Sequence, residues 1–289
     1  MSDWVLGVIG GSGLYEIPGL TDLRFEQVHT PWGEPSDELA FGEMDGVQLV
    51  FLPRHGRGHR VSPTHINGRA NIDALKRVGC TDILSLSAVG SLREGLAPGD
   101  FVVVDQYIDR TFARDATFFE PGVTAHVSMA HPVCSRLALM AAEAARAGGA
   151  RVVQGGTYLC IEGPQFSTLA ESKLYRAWDC DVIGMTNMPE AKLAREAELP
   201  YASVAMVTDY DCWHEEVAAV EVTDILRVLS ENAHKAQGLV RNLAGMLKRP
   251  RTPSPIDTCL DTAIITPPEA RDPDLVTKLD AVAGRVLNG

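Results

Sequence analysis

Leu199-Pro200-Tyr201-Ala202-Ser203-Val204-Ala205-Met206-Val207-Thr208-Asp209-Tyr210-Asp211-Cys212-Trp213 reads as one apolar strand that ends on two carboxylates with aromatic neighbours. Carboxylates rarely enter apolar surroundings unless paired, hydrogen-bonded or protonated, so two at a strand end point to acid chemistry on a bound ligand. Outward from this strand the pattern repeats. Short apolar runs at Val5 to Ile9, Val47 to Leu52, Ile83 to Leu86, Phe101 to Val104, Tyr158 to Ile161 and Val182 to Met185 mostly end in Gly, Ser, Thr or Asp. Segments of helical period lie between them, at Ala70 to Arg77, Ser135 to Arg146, Leu169 to Ala177 and the long Val222 to Leu247. This alternation predicts an α/β fold, a single domain on a twisted, mixed, largely parallel sheet flanked by helices. Thr186-Asn187-Met188-Pro189-Glu190 has the features of a helix start: a polar cap candidate, a proline in the first turn and an acid near the positive end of the dipole. A helix is expected from about Leu193 to Glu198.

The 289 residues suffice for one large core, and a formal charge of −12 argues against nucleic acid or an anionic membrane surface as partner. Six dispersed cysteines without a C-x-x-C pair indicate neither a zinc site nor a disulfide framework. Met1-Ser2-Asp3-Trp4 carries no basic leader and no apolar run approaches a membrane span, so the expected location is the cytoplasm. Three prolines in Pro250 to Pro255 read as a linker, which divides the chain into a main domain, 1–248, and a tail, 249–289. In that tail Leu275, Leu279, Val282 and Val286 share one face of a final short helix.

Three segments suit an anion. Gly10-Gly11-Ser12-Gly13-Leu14 follows the first strand and lets backbone amides and one hydroxyl approach closely; it fails the dinucleotide pattern, because the third glycine would be Glu16. Pro53-Arg54-His55-Gly56-Arg57-Gly58-His59-Arg60 concentrates cations in an acidic protein and suits phosphate, with a planar guanidinium offering two parallel donors. No carboxylate joins His55 and His59, which disfavours a metal there. Ser85-Leu86-Ser87-Ala88-Val89-Gly90-Ser91-Leu92 ends a third strand in hydroxyls and glycine. Singly these are a tight turn, a solvated basic loop and a strand end; in an open α/β sheet they converge where ligands bind, outside the carboxyl ends of the strands.

With Thr30-Pro31-Trp32-Gly33, Gly90-Ser91-Leu92-Arg93-Glu94, Asp105 to Thr111, Ile161-Glu162-Gly163-Pro164-Gln165-Phe166-Ser167 and Met185 to Glu190, these segments resemble the S-methyl-5′-thioadenosine phosphorylases, of the trimeric purine nucleoside phosphorylase superfamily. The likeness covers about Val5 to Leu247. It implies that Ser12, Arg54, His55, Ser87, Ala88 and Thr186 surround phosphate, that Met185 lies beneath the ribose, and that Phe166 and Ser167 flank the base. It places Asp209 and Asp211 at the purine edge, Val222, Ile225 and Leu226 around the methylthio group, and His126 on a loop that reaches a neighbouring subunit of a homotrimer. It implies no cofactor and no metal, with inorganic phosphate as co-substrate. One departure is Gly68, where the family usually has an aromatic residue; a second is the tail.

Cleaving an N-glycosidic bond leaves positive charge on the sugar and negative charge on the purine, so a site needs a nucleophile on one side and a proton on the other. Phosphate and Asp209 fit these places. A protonated Asp209 both donates and accepts, which suits the N7 acceptor and amino donor of adenine; Asp211 supports it. The expected reaction is phosphate-dependent cleavage of S-methyl-5′-thioadenosine to adenine and 5-methylthioribose 1-phosphate. The competing readings are a 5′-methylthioinosine or broader purine nucleoside phosphorylase, a nucleosidase that uses water, and a non-catalytic nucleoside-binding sensor.

Overall fold

The computed structural model describes residues 3–288 apart from 12–13, 15, 215–221 and 248–249; of 222–226 it describes the backbone and not the side chains. The strands are β1 (Val5–Gly10), β2 (Thr21–Glu26), β3 (Leu39–Met44), β4 (Val47–Pro53), β5 (Asp82–Ser91), β6 (Asp100–Val103), β7 (Gln106–Arg110), β8 (Arg151–Gln154), β9 (Thr157–Ile161), β10 (Val182–Gly184) and β11 (Tyr201–Tyr210). The helices are α1 (Gly68–Arg77), α2 (Ser135–Ala147), α3 (Leu169–Ala177), α4 (Asn187–Glu196), α5 (Val222–Met246), α6 (Pro273–Lys278) and α7 (Asp280–Leu287).

Strand side chains alternate between faces, and the two faces fill two cores. In β1, Leu6 and Val8 join α2 and α5 through Leu137, Ala141, Leu239 and Leu243, whereas Ile9 joins α1, α4, α6 and α7 through Ile72, Leu193, Leu275 and Val282. The sheet is mixed. One path runs β2-β3-β4-β1-β5-β10-β9-β7, and a branch from β5 adds β11, β6 and β8.

β5 is the hub. β11 runs parallel to it from Ile83 to Ser91 and so occupies one edge for almost its whole length. The other edge is shared: β1 pairs with Asp82 to Ser85, and β10 pairs antiparallel with Gly90 and Ser91. Between them the stretch Leu86 to Val89 has no strand on that side among the described residues. The gap in the ladder lies at the carboxyl ends of β1 and β4, where an α/β sheet opens its ligand crevice.

Two expectations change. The segment Thr186 to Glu190 does not start a regular helix: the Thr186 side chain makes no cap hydrogen bond, and Met188 is extended at φ −120° and ψ 134°, before a cis peptide to Pro189. A residue before proline is disfavoured in the helical region, so α4 is kinked at its first turn, and it ends at Glu196. The tail carries two short helices, α6 and α7, joined at Leu279, in place of one.

Residues 250–288 pack into the main body. Leu260, Ala263, Leu275, Leu279 and Val282 are members of the larger core, and Arg251, held by Asp257 of the same segment, anchors it to buried Asp82. Asp82 also receives Arg136 from α2. Asp82 keeps Arg136 when Arg251 is removed but loses one charge-assisted hydrogen bond, so Arg251→Met should lower the unfolding free energy by roughly 2 kcal/mol, read from urea denaturation. A loss below a few tenths would show that the tail is held by its apolar contacts alone.

Candidate active site

The gap along β5 is lined from β4 by Arg54, whose backbone N–H donates to the Gly10 carbonyl at 2.9 Å and so brings the ends of β1 and β4 together. The residue is 2% exposed, and its guanidinium is nearly saturated. Nε donates to Glu190 Oε2 at 2.8 Å, Nη2 to Glu190 Oε1 at 3.1 Å and to Ser85 Oγ at 2.6 Å, and Nη1 to the Leu86 carbonyl at 3.0 Å. Burial opposes the charge on Arg54, but Glu190 outweighs it and holds the guanidinium protonated. This corrects the expected bidentate donation to an anion. The two-pronged face of Arg54 is spent on Glu190, and a single Nη1 proton remains.

Glu190 lies in a fully buried polar cluster. Tyr201 Oη donates to Glu190 Oε1 at 2.8 Å, Ser85 Oγ lies 2.7 Å from the same oxygen, and Asn187 Nδ2 donates to Tyr201 Oη at 2.7 Å and to Ser203 Oγ at 2.6 Å. Asn187 Oδ1 accepts from Ser87 Oγ at 3.2 Å, which turns that hydroxyl toward the start of α4, and Thr186 Oγ1 lies 3.4 Å from Tyr158 Oη. Ala88 is exposed beside them. The cluster draws together β4, β5, β11 and the start of α4.

His55 Nδ1 lies 2.8 Å from the Val61 carbonyl, an atom that can only accept, so Nδ1 carries the proton and Nε2 presents a lone pair. The ring stacks on His59 at 4.2 Å. Burial, with the charge of Arg54, pushes His55 down to about 4. A neutral imidazole accepts from a protonated phosphate oxygen, or gains a proton when a dianion arrives. In a proton NMR titration His55 should therefore show a midpoint near 4 without phosphate, and a higher one with it. A midpoint near the ordinary histidine value in both conditions would contradict this environment.

The opposite side of the crevice is the end of β11. The pairing with β5 shifts between Val207 and Asp209, so Thr208 is the extra residue of a bulge, a device that re-aims side chains beside active sites. Asp209 falls opposite Gly90, where an added Cβ would stand 3.3 Å from Asp209 Oδ1. Burial pushes the Asp209 carboxyl up, the Thr208 hydroxyl opposes this, and the charge of Asp211 adds to the rise. Asp211 Oδ2 and Ser167 Oγ are buried without a hydrogen-bond partner among the described residues. Cys212 Sγ donates to the Ser167 carbonyl at 3.4 Å, so these two orphaned oxygens belong to adjoining segments. Phe166 is 85% exposed at the rim.

A buried ion pair joins the turn that begins at Glu162 to the start of α4. Arg114 Nε donates to Glu162 at 3.0 Å, its Nη1 to the carbonyls of Met185 and Met188 at 2.7 Å each, and its Nη2 to the Glu162 carbonyl at 2.6 Å. Burial opposes the charge of Glu162, but the backbone N–H groups of Phe112 and Ala113, with Arg114, hold it at about 2. Gly163 has φ +69°, and a Cβ there would meet Met185 Sδ at 2.5 Å; only glycine lets the turn sit against Met185.

Contacts and register draw the predicted residues to the carboxyl ends of the strands: Arg54 bonds to Ser85 and Leu86 of β5, Ser87 of the same strand bonds to Asn187 next to Thr186 and Met185, Asp209 pairs with Gly90 of β5, and Cys212 beside Asp211 bonds to Ser167. Ser12 lies outside the described residues, as do the side chains of Val222, Ile225 and Leu226. His126 stands apart: it is exposed, and its backbone N–H donates to Ala263 in the tail. At Gly68 an added Cβ would meet Leu193 Cδ1 at 2.9 Å, so α4 leaves no room for a side chain without moving Leu193. Sequence reasoning missed Asn187, Tyr201, Arg114, Glu162 and Thr208, and took Glu190 for a helix-end acid. The available signal was the hydroxyls of Ser85 and Ser203 inside otherwise apolar strands. Among the described residues no group of three or more His, Cys, Asp or Glu is placed to hold a metal, and no helix is long and apolar enough to cross a membrane.

Residues 5–244 match the phosphorylase superfamily. The S-methyl-5′-thioadenosine phosphorylase of Cereibacter sphaeroides is 62% identical over 99% of both chains, and that of Bradyrhizobium diazoefficiens is 60% identical over 100% of both. A crystal structure of a methylthioadenosine phosphorylase from an Antarctic soil metagenomic library aligns with TM-score 0.93 at 46% identity, covering 98% of this chain and 99% of that one. A methylthioadenosine phosphorylase from Schistosoma mansoni, in complex with adenine, aligns with TM-score 0.78 at 40% identity, covering 83% and 91%. The chain belongs to the phosphorylase superfamily, and within it to the S-methyl-5′-thioadenosine phosphorylase family.

Proposed function

We propose that the chain cleaves S-methyl-5′-thioadenosine with inorganic phosphate, giving adenine and 5-methylthioribose 1-phosphate, a step of methionine and purine salvage. The observation that carries this reading is that β5 has beside it both a carboxyl group that burial favours in its acid form, Asp209, and a buried guanidinium, Arg54, with one N–H to spare. Phosphate is held by the remaining Arg54 proton, His55, Ser87, Thr186, the backbone at Ala88, and Ser12. A phosphate oxygen forms the new bond to the anomeric carbon as the bond to N9 breaks, and Asp209 passes its proton to N7 of the departing adenine. Met185 supports the ribose, Phe166 and Ser167 flank the base, and Asp211 orients the purine edge. Val222, Ile225 and Leu226 surround the methylthio group. No cofactor takes part; phosphate is consumed as co-substrate. The enzyme works in the cytoplasm as a homotrimer in which His126 of each chain approaches a neighbour's site.

Incubation with methylthioadenosine should release adenine and a phosphorylated methylthioribose only when phosphate is present. Release without phosphate would mean hydrolysis, and no turnover of any purine nucleoside would leave a binding protein. Because the acid form of Asp209 is the working one, the rate should fall as pH rises through its raised pKa. Asp209→Asn should lower kcat on methylthioadenosine by roughly 100-fold and shift preference toward 6-oxopurines, whose edge offers acceptors only. Light scattering of the purified protein checks the trimer.

A further inference from the structure

Thr208 is the inserted residue of the β11 bulge, and its hydroxyl faces two acceptors. Oγ1 lies 2.6 Å from Asp209 Oδ2 and 3.1 Å from the Val89 carbonyl. The threonine has one proton to give. No donor among the described residues reaches Asp209 Oδ1, the oxygen beside Gly90. The two oxygens of this carboxyl group are therefore unlike: one is held within the protein and the other is open to a ligand.

We propose that Thr208 is a positioning residue for proton transfer, an inference that rests on the reading of Asp209 as the acid. By donating to Oδ2, the hydroxyl places the acid proton on Oδ1. When that proton passes to the leaving purine, negative charge forms on the carboxylate and the same hydroxyl meets it at Oδ2, where a charge-assisted bond is stronger than the neutral one it replaces. Nothing is consumed: the O–H bond at Oδ1 breaks, an N–H bond forms on the base, and the Thr208 proton stays on its oxygen. The bulge is what makes this possible, because a regular strand would send the side chains of residues 208 and 209 to opposite faces.

The sign of the effect is fixed. A donor to the carboxylate lowers the pKa of Asp209, and its removal raises it. Thr208→Val, close to isosteric, should lower kcat on methylthioadenosine by roughly tenfold or more and move the alkaline limb of the kcat–pH profile upward by about one unit, with the KM for phosphate unchanged. Thr208→Ser keeps the hydroxyl and should keep both the rate and the limb. Should the valine variant not fold, Thr208→Ala carries the same expectation. A valine or alanine variant with wild-type kcat and an unmoved limb, alongside an inactive Asp209→Asn, would overturn the role of Thr208 and leave Asp209 as the acid. An active Asp209→Asn would instead remove the reading on which the inference stands. A serine variant as slow as valine would also overturn it, since the hydroxyl would then not be the group that matters.

Discussion

Arg54 carries its charge into a place that water does not reach, and burial of an ion is tolerated only when a counter-charge and hydrogen bonds replace its hydration. Glu190 supplies the counter-charge, and Ser85 and the Leu86 carbonyl supply the remaining bonds. This requirement reaches far into the fold. Glu190 must come up beneath the crevice, so α4 begins with an extended residue and not with a regular turn. Tyr201 and Ser203 on β11 must present hydroxyls inward from a strand that is otherwise apolar. The pair is neutral as a unit, so an anion arriving above it meets one guanidinium proton, hydroxyls and peptide groups, and not a bare cation.

The two sides of the crevice grow from the two edges of β5. On one edge the absence of a strand along Leu86 to Val89 exposes the polar groups that Arg54 and the hydroxyls organise. On the other edge β11 is present throughout but irregular, and the irregularity turns Asp209 toward the same space. A single buried strand thus fixes the distance between Arg54 and Asp209. Because β5 is packed on both faces, that distance is set by the core and not by mobile loops.

Much of this was legible in the chain. Apolar runs ending in Gly, Ser, Thr or Asp gave the central strands, and Arg54 and Asp209 stand out because their charges interrupt such runs. What was hidden depends on contacts between distant segments. β2 is exposed along its whole length and β8 is at most half-buried, so neither carries the buried pattern that marks a strand. Glu190 follows a proline and looks like a helix-end acid; only the fold reveals Arg54 opposite it. The bulge at Thr208 is a matter of register between β11 and β5, which no local pattern encodes. The proline-rich stretch after Lys248 has the composition of a linker, but Arg251 within it answers the buried carboxylate of Asp82, far away in sequence.

Arg114 bonds at once to the turn that carries Phe166 and Ser167 and to the one that carries Met185 and Thr186. One side chain thereby ties the two loops together. A substitution that shifts the turn at Glu162 is felt through Arg114 at the carbonyls of Met185 and Met188. Changes in the range of nucleosides accepted should therefore arrive as coupled pairs of substitutions, one on each turn, with Arg114 left in place.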